Sequence, residues 1–214
     1  MSNPEDTLKK AFDAKGWKVI PYQKKVWSAY ADGKSGLVHA PTGAGKTLSI
    51  WAPVLLEWMH EDSASKQPSS PDLQVLWITP LRALAKDTAR SLMELCLAMK
   101  VSLSVETRTG DTSGTVKSRQ KKSFPHTLVT TPESLALLLS DSETKHKFSN
   151  LKAVIIDEWH ELLGSKRGVQ TELGLARLRQ WNPLLKIWGL SATLGNLEEA
   201  LNALLGPGHQ GILI

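Results

Sequence analysis

Apolar and polar positions follow two rhythms along this chain. Short runs that are apolar throughout alternate with longer stretches whose apolar residues return every third or fourth position. The first rhythm marks buried strands and the second marks helices. Leu8, Ala11 and Phe12 share one helical face, opened by the capping box Ser2-x-x-Glu5 with Pro4 and stopped by Gly16. A second helix is expected from Tyr22 to Ala31. Strand, loop and helix then repeat. Strands are expected at Gly36 to Ala40, Val75 to Thr79, Leu103 to Thr107, Thr127 to Thr130, Ala153 to Ile156 and Ile187 to Ala192, with another starting at Gly211 to Ile214. Helices are expected at Leu48 to His60, which is apolar almost all round and carries Pro53, and at Leu81 to Lys100, Pro132 to Leu139, Gln170 to Gln180 and Leu197 to Leu205. Glu61 to Asp72 and Ser140 to Asn150 read as polar loops. Gly110 to His126 reads as loop plus a short polar helix. Continuously apolar strands separated by helices predict an α/β fold, a parallel sheet covered on both faces.

Composition narrows the class. The 214 residues suit one large domain or two small ones, and without a linker or repeat they read as one. With 41% hydrophobic and 22% charged residues, wholesale disorder is excluded. The single cysteine, Cys96, excludes a disulfide framework and a cysteine-based zinc finger, and points to a reduced, intracellular setting. No apolar run approaches the roughly 18 residues of a bilayer span, so no membrane partner is expected. The polar N-terminus with Glu5 and Asp6 does not read as a secretory signal. A net charge of +5 permits a polyanionic partner without requiring one.

The chemistry starts at Ala40-Pro-Thr-Gly-Ala-Gly-Lys-Thr47, between a predicted strand and a predicted helix, where a phosphate-binding loop belongs. Gly43 and Gly45 allow backbone N–H groups to turn inward around phosphate oxygens. Pro41, Thr42 and Ala44 complete the wall of that cradle. Lys46 can reach the β- and γ-phosphates, and Thr47 can ligate Mg²⁺ through its hydroxyl. Ala40 stands where the usual pattern has glycine. Downstream, the strand Ala153 to Ile156 runs into Asp157-Glu158-Trp159-His160. That places two carboxylates at the carboxyl edge of the sheet, where open parallel sheets bind ligands. Asp157 is the candidate metal aspartate, Glu158 the base for an attacking water, and His160 a group that senses the γ-phosphate or contacts another motif.

The ordered set Ala40 to Thr47, Thr79-Pro-Leu-Arg-Ala-Leu84, Thr130-Thr-Pro-Glu-Ser-Leu135, Asp157 to His160 and Ser191-Ala-Thr193 resembles motifs I, Ia, Ib, II and III of superfamily 2 helicases. Arg108-Thr-Gly-Asp-Thr112, the stretch Asp157 to Gly168 and Trp188 to Asn196 narrow the resemblance to the Lhr (large helicase-related) group, most closely its bacterial ligase-associated DExH members. The resemblance covers nearly the whole chain. It implies a RecA-like first domain of an ATP-dependent DNA translocase or helicase over residues 1–214, working with ATP and Mg²⁺. It implies Gln23 as the residue reading the adenine edge. It further implies single-stranded DNA or tailed duplex as partner, a link to DNA repair with a ligase or nuclease, and a cytoplasmic, nucleoid-associated setting. Motifs IV to VI, with their arginine fingers, find no place before Ile214, so the second RecA-like and later domains are expected to be missing.

Thr79-Pro80 and Thr131-Pro132 each end a strand and open a helix, with Thr expected as N-cap and Pro at the first helical position. Free N–H groups there can hold phosphates of one strand without reading bases. Arg82 adds charge, Thr109 a hydroxyl, and the basic run Lys117 to Lys122 lies either along the track or on a solvated face. Ser191 and Thr193 are expected to bridge to Asp157 or His160 and so couple phosphate state to strand grip. Trp159 is left open as a stacking residue, while Trp51, Trp58, Trp77 and Trp188 read as core. An RNA or RNA–DNA hybrid remodeller, a nucleotide-gated binding module without turnover and a nucleotide kinase are the alternatives. The last accounts for neither the Thr-Pro pairs nor Ser191-Ala-Thr193.

Overall fold

A computed structural model describes residues 4–64 and 73–214. The helix α1 spans Pro4–Ala14, with Gly16 beyond it at φ +67°. Ser2 of the expected capping box lies outside the described residues. Helix α2 is Pro21–Ala31, β1 is Gly36–His39 and α3 is Lys46–Ala64. Thus α3 begins two residues before the expected start and runs four residues into the expected polar loop. The remainder of that loop lies outside the described residues. Then come β2 (Val75–Ile78), α4 (Arg82–Met99), β3 (Val105–Arg108), α5 (Gly114–Lys122), β4 (Thr127–Thr130) and α6 (Pro132–Ser140). A 3₁₀ turn, Ser142–Phe148, stands where a charged loop was expected. The chain continues with β5 (Ala153–Ile156), α7 (Trp159–Leu162), α8 (Lys166–Trp181), β6 (Lys186–Ser191), α9 (Leu197–Leu205) and β7 (Ile212–Leu213).

Among the described residues seven strands form one sheet in the order β3-β4-β2-β5-β6-β1-β7, and every neighbouring pair is parallel. All residues of β2, β4, β5 and β6 are buried, as a sheet covered on both faces requires. Alternate residues feed two cores. Val38, Trp77, Val129, Ile155 and Trp188 pack under α1 to α4. Leu37, Ile78, Leu128, Ile156 and Ile187 pack under α6 to α9. This is the RecA-like α/β architecture.

That strand order sorts the sequence motifs in space. From β1 outward, the carboxyl ends deliver the loop after His39, then Ser191, Asp157, Thr79, Thr131 and Thr109. Motifs more than a hundred residues apart in the chain become neighbours along one edge.

Candidate functional site

The loop from Pro41 to Gly45 is held in shape from three sides. Gly43 and Gly45 take φ of +81° and +76°, conformations that side chains strain to adopt. Lys46 is buried at the start of α3, and its Nζ donates to the Ala40 carbonyl at 2.9 Å and the Pro41 carbonyl at 3.2 Å. An ammonium has three protons, so one remains for a ligand. Gln23, also buried, accepts from the Ile20 N–H through Oε1 at 2.9 Å and donates through Nε2 to the Gly45 carbonyl at 3.1 Å. The structure therefore places Gln23 against the phosphate loop, with one Nε2 proton left over. Tyr22 was missed in the sequence. Its hydroxyl donates to the Ala44 carbonyl at 2.6 Å. Nothing in its spacing marks it; it stands beside Gln23 on the first turn of α2.

Asp157 follows β5, and its backbone N–H still bonds Ile78 at 2.8 Å, as a continuation of the ladder. Its Oδ1 accepts from the Glu158 N–H at 3.1 Å and its Oδ2 from the Trp77 indole at 3.3 Å. Burial pushes the Asp157 carboxyl up from 3.8 to about 6. The Trp77 bond, the Glu158 backbone and the Lys46 charge pull it down, while the Glu158 carboxylate adds to the rise. Glu158 itself sits in the left-handed region at φ +45° and ψ +51°, which costs a non-glycine residue on the order of 1–3 kcal/mol. Its Oε2 is buried without a hydrogen-bond partner. His160 Nδ1 stands 3.5 Å from that oxygen and 3.1 Å from Ser191 Oγ. Ser191 thus bridges to His160, as expected. Thr193 does not: it is exposed and makes no hydrogen bond among the described residues, because the chain has left the sheet by then. Trp159 is also corrected. It is fully buried and donates to the Ala200 carbonyl at 2.9 Å, so it anchors α9 and cannot stack on a base.

The residues fit a hard divalent cation. Asp157 is a carboxylate desolvated by its surroundings, and Glu158 keeps an orphaned oxygen beside it. Thr47, half-buried on the first turn of α3, offers a hydroxyl. Among the described residues no cluster of three His, Cys, Asp or Glu forms a cage. Such an ion would share phosphate oxygens and water, the habit of Mg²⁺.

On the other side of Asp157 the two Thr-Pro turns differ. Thr131 is the N-cap of α6 with Pro132 in the first turn, as expected, but its hydroxyl meets Ser134 Oγ at 3.3 Å and caps no backbone N–H. Thr79 is no cap. Helix α4 begins at Arg82 with Leu81 at the N-cap, since Thr79 turns inward and its Oγ1 bonds the Leu81 carbonyl at 3.2 Å. Pro80 consequently precedes the helix. Arg82 reaches Asp111 at 3.0 Å across Gly110. Thr109 is buried, and its N–H bonds Thr112 Oγ1 at 2.9 Å, which fixes that turn. In α5, Lys117 bonds the Gly110 carbonyl, Arg119 pairs with Glu106 and Lys121 with Asp141, so three of its cations are already held. Arg167, from the start of α8, forks onto Glu133 at 2.5 and 3.4 Å. Burial would raise the Glu133 carboxyl, but hydrogen bonds from Arg167, its own backbone and Thr131, with the Arg167 charge, hold it below the usual range. Cys96 is buried and its thiol is pushed up to about 12 by desolvation, which suits no nucleophile.

Comparison with known proteins finds the DEAD/DEAH box helicase family model matching residues 20–200. The chain is 34% identical over 220 residues to the ATP-dependent helicase Lhr-Core of Methanocaldococcus jannaschii, covering 98% of this chain and 26% of that protein. It is 36% identical over 193 residues to the Lhr helicase/uracil glycosylase of Escherichia coli, covering 83% of this chain and 12% of that protein. The chain therefore spans about a quarter, or less, of the length of these relatives. The structure of the Mycobacterium smegmatis helicase Lhr bound to ssDNA and AMP-PNP superposes on the whole chain and 28% of its own, with a TM-score of 0.82 at 32% identity.

Proposed function

The chain belongs to the DEAD/DEAH box helicase family, and we propose that it is the ATP-binding first domain, over residues 1–214, of an Lhr-type ATP-dependent DNA helicase or translocase. One observation carries this reading. The sheet sets the phosphate loop, the Ser191–His160–Glu158 cluster, Asp157, and then Thr79, Thr131 and Thr109 side by side along one edge. In this reading nucleotide chemistry takes one half of that edge, and the strand ends at Thr79 and Thr109 with the helix start at Thr131 take the other. The similar Mycobacterium smegmatis structure holds ssDNA and AMP-PNP.

In this reading the loop N–H groups and Lys46 bind the ATP phosphates, and Gln23 uses its spare Nε2 proton on the adenine edge. Thr47 and Asp157 would hold Mg²⁺, which would supply neutralisation of phosphate charge. Glu158 takes the proton of the attacking water through its unpaired oxygen. His160 and Ser191 sense the result. Thr79, Pro80, Arg82, Thr109, Thr131 and Pro132 line the nucleic-acid track. The contacts are to backbone, so single-stranded DNA, a tailed duplex and an RNA–DNA hybrid all fit the surface. DNA repair as the setting, with a ligase or nuclease nearby, belongs to this proposal through the motif resemblance. So does a cytoplasmic, nucleoid-associated location. Among the described residues no helix is long and apolar enough to cross a membrane.

Calorimetry with Mg-AMP-PNP tests the assignment. Lys46→Ala removes a charge-assisted phosphate contact and should weaken binding by on the order of tenfold or more. Gln23→Ala should weaken it less and narrow the preference for adenine over guanine nucleotides. An unchanged affinity in the Lys46 variant would overturn the phosphate-loop reading.

A further inference from the structure

Two halves of the proposed metal site come from different elements. Thr47 rides on α3 and Asp157 stands at the end of β5. What sets their separation is therefore not local. Asp157 has both carboxylate oxygens occupied by donors, the Glu158 N–H on Oδ1 and the Trp77 indole on Oδ2. The first donor is its chain neighbour and moves with it. The second belongs to β2, and is the only one of the two that refers the carboxylate to the rest of the fold.

Trp77 is itself fixed. It is fully buried, and its ring meets Trp51 edge to face at 6.3 Å between centroids and 82° between planes. Trp51 is fully buried too, on α3, one turn beyond Thr47, and its indole donates to the Leu92 carbonyl of α4 at 2.9 Å. A continuous path thus runs from the helix that begins at the phosphate loop, through two locked indoles, to the carboxylate facing that loop. The ring of Trp77 fills the core, which any side chain of that shape could do. Only a side chain with a donor at that reach could also hold Oδ2.

We propose that Trp77 is a positioning residue for Asp157. Its indole N–H holds the carboxylate in the orientation that meets the metal, and its contact with Trp51 references that orientation to α3. This rests on the reading of Asp157 as a metal ligand. Preorganised supporting bonds of this kind commonly change metal affinity by 10- to 100-fold when removed.

The test uses the 214-residue chain, with replacement of Trp77 by 3-benzothienylalanine, which substitutes sulfur for the N–H at nearly constant shape. Trp77→Phe serves as the simpler variant, with thermal unfolding checking that each is folded. AMP-PNP binding is titrated against Mg²⁺ by calorimetry. The sulfur variant should need about tenfold more Mg²⁺ for half-maximal enhancement, while AMP-PNP binding in EDTA stays unchanged. Placed on Asp157→Asn, the same replacement should add nothing, which a merely structural role would not produce. A wild-type Mg²⁺ dependence that the sulfur variant reproduces would overturn this proposal alone. A wild-type chain whose AMP-PNP affinity ignores Mg²⁺ would overturn the metal reading and the proposal together. If both Trp77 variants unfold, Trp77 is a packing residue first and the proposal fails.

Discussion

At the scale of single residues, the site is built from groups placed where they are costly. Glu158 spends backbone strain, and Asp157 spends solvation. The Asp157 carboxyl, pushed from 3.8 to about 6, keeps its proton in the folded chain over a window where the unfolded chain has lost it. Its contribution to stability is intact below pH 3.8, and is lost as pH rises through about 6. In EDTA at pH 7, Asp157→Asn should therefore be more stable than the unsubstituted chain, by on the order of 2–3 kcal/mol. Below pH 4 the two should converge. Urea midpoints at both pH values decide it, and equal midpoints at pH 7 would mean that the buried carboxylate is already compensated. Much of this scale was legible beforehand. Gly43, Gly45, Lys46, Thr47, Asp157 and Glu158 announce themselves by type and spacing. Tyr22 and Trp77 did not, because a tyrosine on a helix and a tryptophan in a strand carry no spacing signal. Their roles exist only once β2 lies beside β5 and α2 lies over the loop.

At the scale of elements, hydrophobic rhythm located every strand to within one or two residues, since fully buried strands leave an unbroken apolar run. Helix ends were less legible. Helix α8 starts at Lys166, four residues ahead of its expected start, because Ser165 caps it through a bond to the Gly168 N–H at 3.1 Å and no apolar period marks that turn. The turn Thr79-Pro80 misled for the opposite reason. Its composition is that of a cap, yet the hydroxyl finds a better partner inward. The consequence falls on Arg82, which becomes the first residue of α4 and reaches over Gly110 to Asp111. With side chains 58% and 62% exposed, this pair contributes little to stability. If Arg82 lines the proposed track, the pair matters instead as competition, because Asp111 holds the cation that a strand phosphate would use. Arg82→Ala should weaken binding of single-stranded DNA and flatten its salt dependence by nearly one unit of log–log slope. Asp111→Asn should tighten binding severalfold. Fluorescence anisotropy across a salt series measures both, and an Arg82 variant with the original slope would move the track towards Lys122 and its neighbours on α5.

At the scale of the whole molecule, the question is what a RecA-like domain can do by itself. Phosphoryl transfer to water builds charge on the γ-phosphate, and an arginine placed there is worth on the order of 10³–10⁵ in rate. The chain has seven arginines, and each finds its partner away from the phosphate loop. Arg82 pairs with Asp111, Arg90 with Asp87, Arg119 with Glu106 and Arg167 with Glu133. Arg108 bonds the Lys117 carbonyl, Arg177 the Leu139 carbonyl and Arg179 the Leu205 carbonyl. None of these partners lies on the phosphate loop. In the proposed reading Lys46, Mg²⁺ and Glu158 bind and orient, and the last charge is expected from a second domain. The 214-residue chain should bind ATP and hydrolyse it very slowly, with little stimulation by single-stranded DNA or RNA and no duplex unwinding. A longer polypeptide that supplies a second RecA-like domain should recover stimulated turnover, and Glu158→Gln in that context should abolish turnover while ATP stays bound. Phosphate release assays on both lengths separate these outcomes. Brisk DNA-stimulated turnover by the 214-residue chain would require one of those seven contacts to break and deliver its guanidinium to the loop, or a second copy to lend one. Dependence of the rate per chain on protein concentration would tell these two apart.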